Sequence, residues 1–422
     1  MTLDLTRGTP WKGALRFALP LLLGNLLQQL YNTADTIIVG NYVSDRALSA
    51  VGSCTSLTML FTALALGFSI GAGVLVAQYF GAQKLDEVRR IASTSIVLFL
   101  ALGAGMSVLG VVLTRPLLAG LLQTPAALLE MAVTYFMIYA AGLIFQFGYN
   151  ITAAILRAIG DSKATLYFLF ASSLLNVVLD LLLVAVVKMG VAGAAVATVI
   201  SQLLSCVLSF WYMHKKYEFL RFSPRELRFE PKLARRVLTI GAPMAVQQSV
   251  VSCGFMFMQR LVNSCGEDMV ASFTVGSRIE NYLILPTLSF QSTMATYTGQ
   301  NIGAKQPERV SHGLRQVIVL AICITLPLSA VAYFLAPQII ALFAISGQAA
   351  AYCAQHLHLA AWAVLVFAVY FPCNGLLQGA GEGLYATACA ALALGVRVAL
   401  AYLLVKTALF GVTAIWWSQL LA

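Results

Sequence analysis

Of the chain's 422 residues, 60% are hydrophobic and only 10% are charged, far from the roughly 25% charged residues of a soluble domain. With a mean hydropathy of +0.86, that balance excludes an ordinary soluble enzyme and points to a chain that crosses a bilayer many times. The net charge of +10 would suit a nucleic-acid binder, but its placement along the chain speaks against one.

Apolar runs long enough to span a bilayer, roughly 17–25 residues each, follow one another from end to end. Their cores lie at 13–38, 47–78, 91–113, 128–155, 164–187, 190–213, 237–262, 269–298, 316–343, 350–377, 384–407 and 410–422. This predicts an all-α polytopic membrane protein of twelve transmembrane helices, the second and eighth long enough to tilt or project, with nothing left for a soluble domain. Nineteen of the 26 lysines and arginines fall in alternate loops, beginning with Arg7, Lys12 and Arg16, and five in the others: Arg46, Arg115, Lys188, Arg260 and Lys406. That is the positive-inside pattern, so the expected home is the cytoplasmic membrane with a cytoplasmic amino terminus. No cleavable leader is apparent ahead of the first span, which is therefore expected to be retained. The eight cysteines are scattered without a CxxC pair and read as small apolar side chains.

The most polar stretch, 214–236, divides an N-terminal six-helix lobe (1–213) from a C-terminal six-helix lobe (237–422), and reads as a basic cytoplasmic linker. The lobes repeat one another. Gln78, Gly81, Ala82 and Val88 recur as Gln300, Gly303, Ala304 and Val310; LRAIGD at Leu156 recurs as LQGAGE at Leu377; Pro20, Gly52 and Gly190 recur as Pro243, Gly276 and Gly411. An even number of helices per unit makes these parallel repeats about an axis normal to the membrane, as in transporters with a cavity between halves. The copy that begins at Gly411 leaves only eleven residues, so the twelfth span is expected to be incomplete.

Polar residues inside spans carry the functional signal, because a carboxylate at the bilayer centre costs about 3 kcal/mol or more and usually faces an interior that an ion enters. Asp35 lies in span one, and Asn176 and Asp180 in span five, one turn apart on one face. Asn176 is matched in the repeat by Arg397, Asp180 by Ala401, and Asp35 by Met258 or Gln259. The paired acids therefore belong to the first half alone. With Thr198 they lie at one depth, roughly 10–12 Å below the outer surface at 1.5 Å per residue, and Tyr135 is at a similar level. Such a set suits an oxygen cage for Na⁺, a proton-sharing acid pair, or a hydrogen-bonded lock between helices.

Gln28, Gln29, Tyr31 and Asn32 in span one, Tyr135 in span four, Gln247, Phe255, Met256 and Met258 in span seven, and Tyr282 in span eight are candidates to line a substrate pathway. Glu280 and Arg397 in the second half are expected either to neutralise one another or to form a second coupling site. Nucleotide-binding, P-loop and HExxH motifs are missing, and His356 and His358 are spaced to point to different helix faces, so neither an enzyme nor a histidine-held metal centre is expected.

PLLLGNLLQQLYNTADTIIVG, then ALSAVG, QYFGA, LRAIGDSK, NVVLD, GVAGAAVAT and GQNIGA, in this order, resemble the MATE multidrug and toxic compound extrusion transporters, DinF-like branch, over essentially the whole chain. The resemblance implies twelve helices in a V of two lobes, and export of drugs against Na⁺ or H⁺ with no other cofactor. It also implies a cation site at Asp35, Asn176, Asp180 and Thr198. Gln247 and Gln248 stand where some relatives carry a coupling acid in the second lobe. The expected function is a monomeric antiporter in the lipid bilayer, exporting small amphipathic organic cations by alternating access. A lipid-linked saccharide flippase of related architecture is the alternative, and it would call for a more cationic cavity than Arg278 and Arg397 supply.

Overall fold

The computed structural model describes residues 3–222, 226–343, 345–405 and 411–421. Arg225 of the expected linker, and Lys406 at the junction of the last two expected spans, lie outside the described residues. Every described element is helical: α1 Pro10–Tyr42, α2 Asp45–Gly81, α3 Leu85–Pro116, α4 Ala126–Ala141, α5 Leu143–Ala158, α6 Ser162–Asp180, α7 Val191–Lys216, α8 Pro231–Asn263, α9 Glu267–Gly303, α10 Pro307–Phe334, α11 Ala336–Ala341, α12 Gly347–Ala380, α13 Gly383–Leu404 and α14 Ala414–Leu421.

Eight of these are long and apolar enough to cross a membrane, and the α4–α5 pair, bent by 44° at Gly142, makes a ninth. This is a multi-pass membrane protein. α1 and α9 are as long but carry many amides and hydroxyls among their apolar residues, because both face the interior between the halves. α14 has only eight residues. The segment joining the halves is shorter than the sequence suggested: α7 runs on to Lys216 and α8 starts at Pro231.

The two halves touch through the repeated motif. α2 and α9 cross at their carboxyl ends, where a methyl group on Gly81 would lie 1.9 Å from the Gln300 carbonyl oxygen and one on Gly303 would lie 1.8 Å from that of Gln78. Only glycine permits this backbone-on-backbone approach, which explains why the same residue recurs in both copies. The two glutamines act as equivalents as well. Gln300 Nε2 donates to the Ala158 carbonyl at 2.8 Å, and Gln78 Nε2 to that of Gly379 at 3.2 Å. Beside them Gly160 and Gly381, also repeat partners, both hold a left-handed φ, +90° and +87°. α2 meets α8 just as closely at Gly67–Ala245 and Gly71–Gly241.

Two segments cross from one half to the other at this face. Leu5, ahead of α1, and Ala14, Phe17 and Ala18 at its start are buried with Phe290, Met294 and Tyr297 of α9. Leu233, Ala234 and Val237 of α8 are buried with α2, α3 and α5. The peptide N–H of Leu3 donates to the Gly160 carbonyl and that of Leu5 to Gln300 Oε1. The face carrying the α2–α3 and α9–α10 turns is therefore the closed one.

Candidate functional site

Above the crossing, the halves enclose a cavity of about 790 Å³. Its wall runs from Gly73 and Thr296, near the crossing, to Asn32 on α1 and Met258 on α8. On α1 it is lined by Asn25, Gln28, Gln29 and Asn32, and on α8 by Val251, Gly254, Phe255 and Met258. Each set is spaced i, i+3, i+4, i+7, the mark of one helix face.

The expected pathway residues divide into three groups. Gln28, Asn32, Gln247, Glu280 and Arg397 line the cavity. Tyr31 and Tyr135 do not; their phenols stand near enough to Asp35 to sense its charge. Met256 does not line the cavity either. It falls off the α8 stripe, whereas Phe255 and Met258, expected with it, hold the wall.

Asp35, one turn beyond Asn32 on α1, faces Asp180 at the end of α6, and the two carboxyls act on one another directly. Immediately after Asp180 the helix widens into a π turn, Leu181–Val186, a departure frequent at functional sites. Asn176 and Asp180 are buried, with 1% and 0% exposure. Among the described residues both polar atoms of Asn176 are buried without a hydrogen-bond partner, and the Asp35 and Asp180 carboxyls stand within hydrogen-bond reach of one another, where only a shared proton or a bound cation lets two acceptors pair. Buried polar atoms left unpaired are costly, and two facing carboxylates repel. A cation between them, or a shared proton, removes both penalties.

Thr198 on α7 is buried and donates its hydroxyl hydrogen to the Ala194 carbonyl at 3.0 Å, which leaves its oxygen free to accept. Carboxylate, amide and hydroxyl oxygens are ligands for a hard cation, and among the described residues no three His, Cys, Asp or Glu side chains gather as a metal cluster. Near the Tyr31 and Tyr135 phenols lies a hydrogen-bonded triangle that the sequence did not disclose. Gln146 Nε2 donates to Thr62 Oγ1 at 2.8 Å, and the Tyr139 hydroxyl bonds both, at 3.3 Å each.

In the second half, Glu280 and Arg397 do not pair directly. His356 Nε2 bonds Glu280 Oε2 at 3.0 Å, Gln419 Nε2 donates to Glu280 Oε1, and Arg397 Nη2 donates to Gln419 Oε1 at 2.8 Å. Gln419 is therefore the bridge. The His356 ring is fixed by stacking on Trp416, 4.1 Å between centroids, and Phe273 stacks on the same indole. Gly276 makes room for the imidazole, since a methyl group there would lie 2.0 Å from His356 Nδ1. Nearer the closed end, Asn374 Oδ1 accepts from Gln247, Gln291 and Gln378 at 3.4, 3.1 and 2.8 Å.

A MatE family model matches residues 20–182 and 243–403. The chain is 30% identical over 379 residues to the probable multidrug resistance protein YpnP of Bacillus subtilis, across 90% of this chain and 84% of that protein. It is 24% identical over 417 residues to the multidrug export protein MepA of Staphylococcus haemolyticus, across 98% and 90% respectively. A solved structure described as the outward-facing conformation of a multidrug resistance MATE family transporter of the MOP superfamily superposes with a TM-score of 0.93 at 26% identity. That superposition covers 99% of this chain and 93% of the other.

Proposed function

Because the chain belongs to the MatE family of membrane transporters, we propose that it is a cation-coupled antiporter exporting amphipathic organic compounds, organic cations among them. The reading places it as a monomer in the cytoplasmic membrane, with the closed, basic face toward the cytoplasm. The coupling ion, Na⁺ or H⁺, enters from the opposite side and binds among Asp35, Asn176, Asp180 and Thr198. The cargo occupies the cavity between the lobes. Ion binding lowers the repulsion between the acids and draws α1 and α6 together. Because α1 also forms part of the cavity wall, the same movement alters the cargo's surroundings. Differential binding to two conformations is all that coupling requires.

The observation that supports this reading is the buried, facing carboxyl pair of Asp35 and Asp180 beside Asn176, whose two polar atoms have no hydrogen-bond partner. The test is efflux of a fluorescent organic cation from reconstituted vesicles, with Na⁺ and pH gradients imposed one at a time. One gradient drives efflux by the native protein, and Asp180→Asn removes that dependence while the protein remains folded. Undiminished gradient-driven efflux by Asp180→Asn refutes the assignment.

A further inference from the structure

By its place in the sequence Arg157 counts as a loop charge, yet it is the penultimate residue of α5 and its side chain lines the cavity near the closed end. Three described lining residues carry formal charge: Arg157, Glu280 and Arg397. The latter two offset one another through Gln419, and both Glu280 oxygens already have partners. Arg157 has nothing comparable. Among the described residues no ion pair or hydrogen bond reaches its guanidinium, and the ionisable group that acts on it is the Tyr149 phenol, neutral at pH 7. The acid nearest in sequence, Asp161, is committed to Lys216, Tyr212 and Tyr217.

An uncompensated guanidinium in a largely apolar wall is costly until it meets a counter-charge. Its planar fork matches a carboxylate or phosphate with two parallel hydrogen bonds. The aromatic side chains of Phe255, Phe367, Tyr370 and Phe371 form another part of the same wall, suited to flat or cationic groups. The geometry points to a second pole of recognition: Arg157 receives an oxyanion of the cargo while the aromatic wall holds its flat or cationic part. The preferred cargo is then an acid-bearing, zwitterionic amphiphile rather than a bare cation. This deepens the export reading and depends on it only in taking the cavity as the cargo's route.

The test is equilibrium binding to the purified full-length protein of a xanthene dye bearing a free carboxylate and of its methyl ester, which differ only in the acid. A bidentate pair of this kind should favour the acid by about ten- to a hundredfold. Arg157→Gln should bring the affinity ratio close to one, and Arg157→Lys, which keeps the charge without the fork, should give an intermediate ratio. The ester measured in the same preparation guards against a misfolded variant. A native protein without preference for the acid overturns the proposal. So does an unchanged ratio in Arg157→Gln, which is the result expected of a cation that merely complements the carboxyl end of α5. No gradient is applied, so failure here leaves ion-coupled efflux of the ester intact, and failure of coupling leaves this binding result intact.

Discussion

Adding one carbon at Gly81 should shift the balance between conformations open to opposite sides of the membrane. A methyl group there would lie 1.9 Å from the Gln300 carbonyl oxygen and 2.6 Å from its carbon, whereas ordinary contact begins at 3.4 Å. α2 and α9 must therefore part by about 1.5 Å, and the obstacle is helix backbone, which cannot rotate aside as a side chain would. Overpacking of this kind costs about 1–3 kcal/mol. The cost falls only on the conformation in which the two helix ends touch, so Gly81→Ala should move the equilibrium away from it by about 5- to 150-fold. Spin labels at Asp86 and Glu308, exposed positions in the first turns of α3 and α10, report the separation by pulsed electron paramagnetic resonance in a cysteine-free background. The variant should gain a longer-distance population. A distribution superimposable on that of the unmodified protein, with normal folded yield, refutes the argument.

The repeat supplies its own control for a second prediction. Gly276→Ala drives a methyl group into the immobilised His356 ring, whereas Gly52, its counterpart, has nothing within 4 Å; Gly276→Ala should lower thermal stability by about 1–3 kcal/mol and Gly52→Ala should not lower it, with equal effects counting against the packing described. The third prediction concerns Asp161, where burial alone pushes the carboxyl up but hydrogen bonds from Lys216, Tyr217 and Tyr212 outweigh it and hold the group below the usual carboxylate range. A depressed value stabilises the fold above the ordinary carboxylate pKa of about 3.9 and loses that contribution as pH falls through the folded value, so the thermal midpoint should fall more steeply below about pH 4 than in Asp161→Asn. At neutral pH that variant should lose about 2 kcal/mol, because Lys216 is left without its anion but is one-third exposed; parallel pH profiles for the two proteins would contradict this.

What the sequence disclosed follows from how each feature is encoded. Asp35 and Asp180 stood out because apolar runs isolate them, and Gly81 and Gly303 stood out as repeat partners, the backbone contact that keeps both as glycine being visible only in the fold. The helices were legible from length and hydropathy, including α1 and α9, which dilute their apolar character to face the cavity. Pairings made by tertiary packing left no such trace. His356 meets Glu280 across 76 positions, and Gln419 comes between Glu280 and Arg397 from another helix. Arg157 looked like a loop charge because its position a residue inside the end of α5 cannot be told from one a residue outside. Met256 missed the cavity because adjacent residues on a helix turn about 100° apart.

α1 contributes to both places at once, with Gln28 and Asn32 in the cavity wall and Asp35 beyond them. On the proposed cycle the ion and the cargo need not displace one another from shared ligands, so the cargo's valence does not fix how many ions move. Trading one inward monovalent ion for an outward monocation transfers no net charge and ignores the membrane voltage. Trading it for a zwitterion carries one elementary charge inward and draws about 2.3 kcal/mol from every 100 mV. Energised cells would then expel zwitterions with a force that depolarisation removes, while monocation traffic would feel the chemical gradient alone.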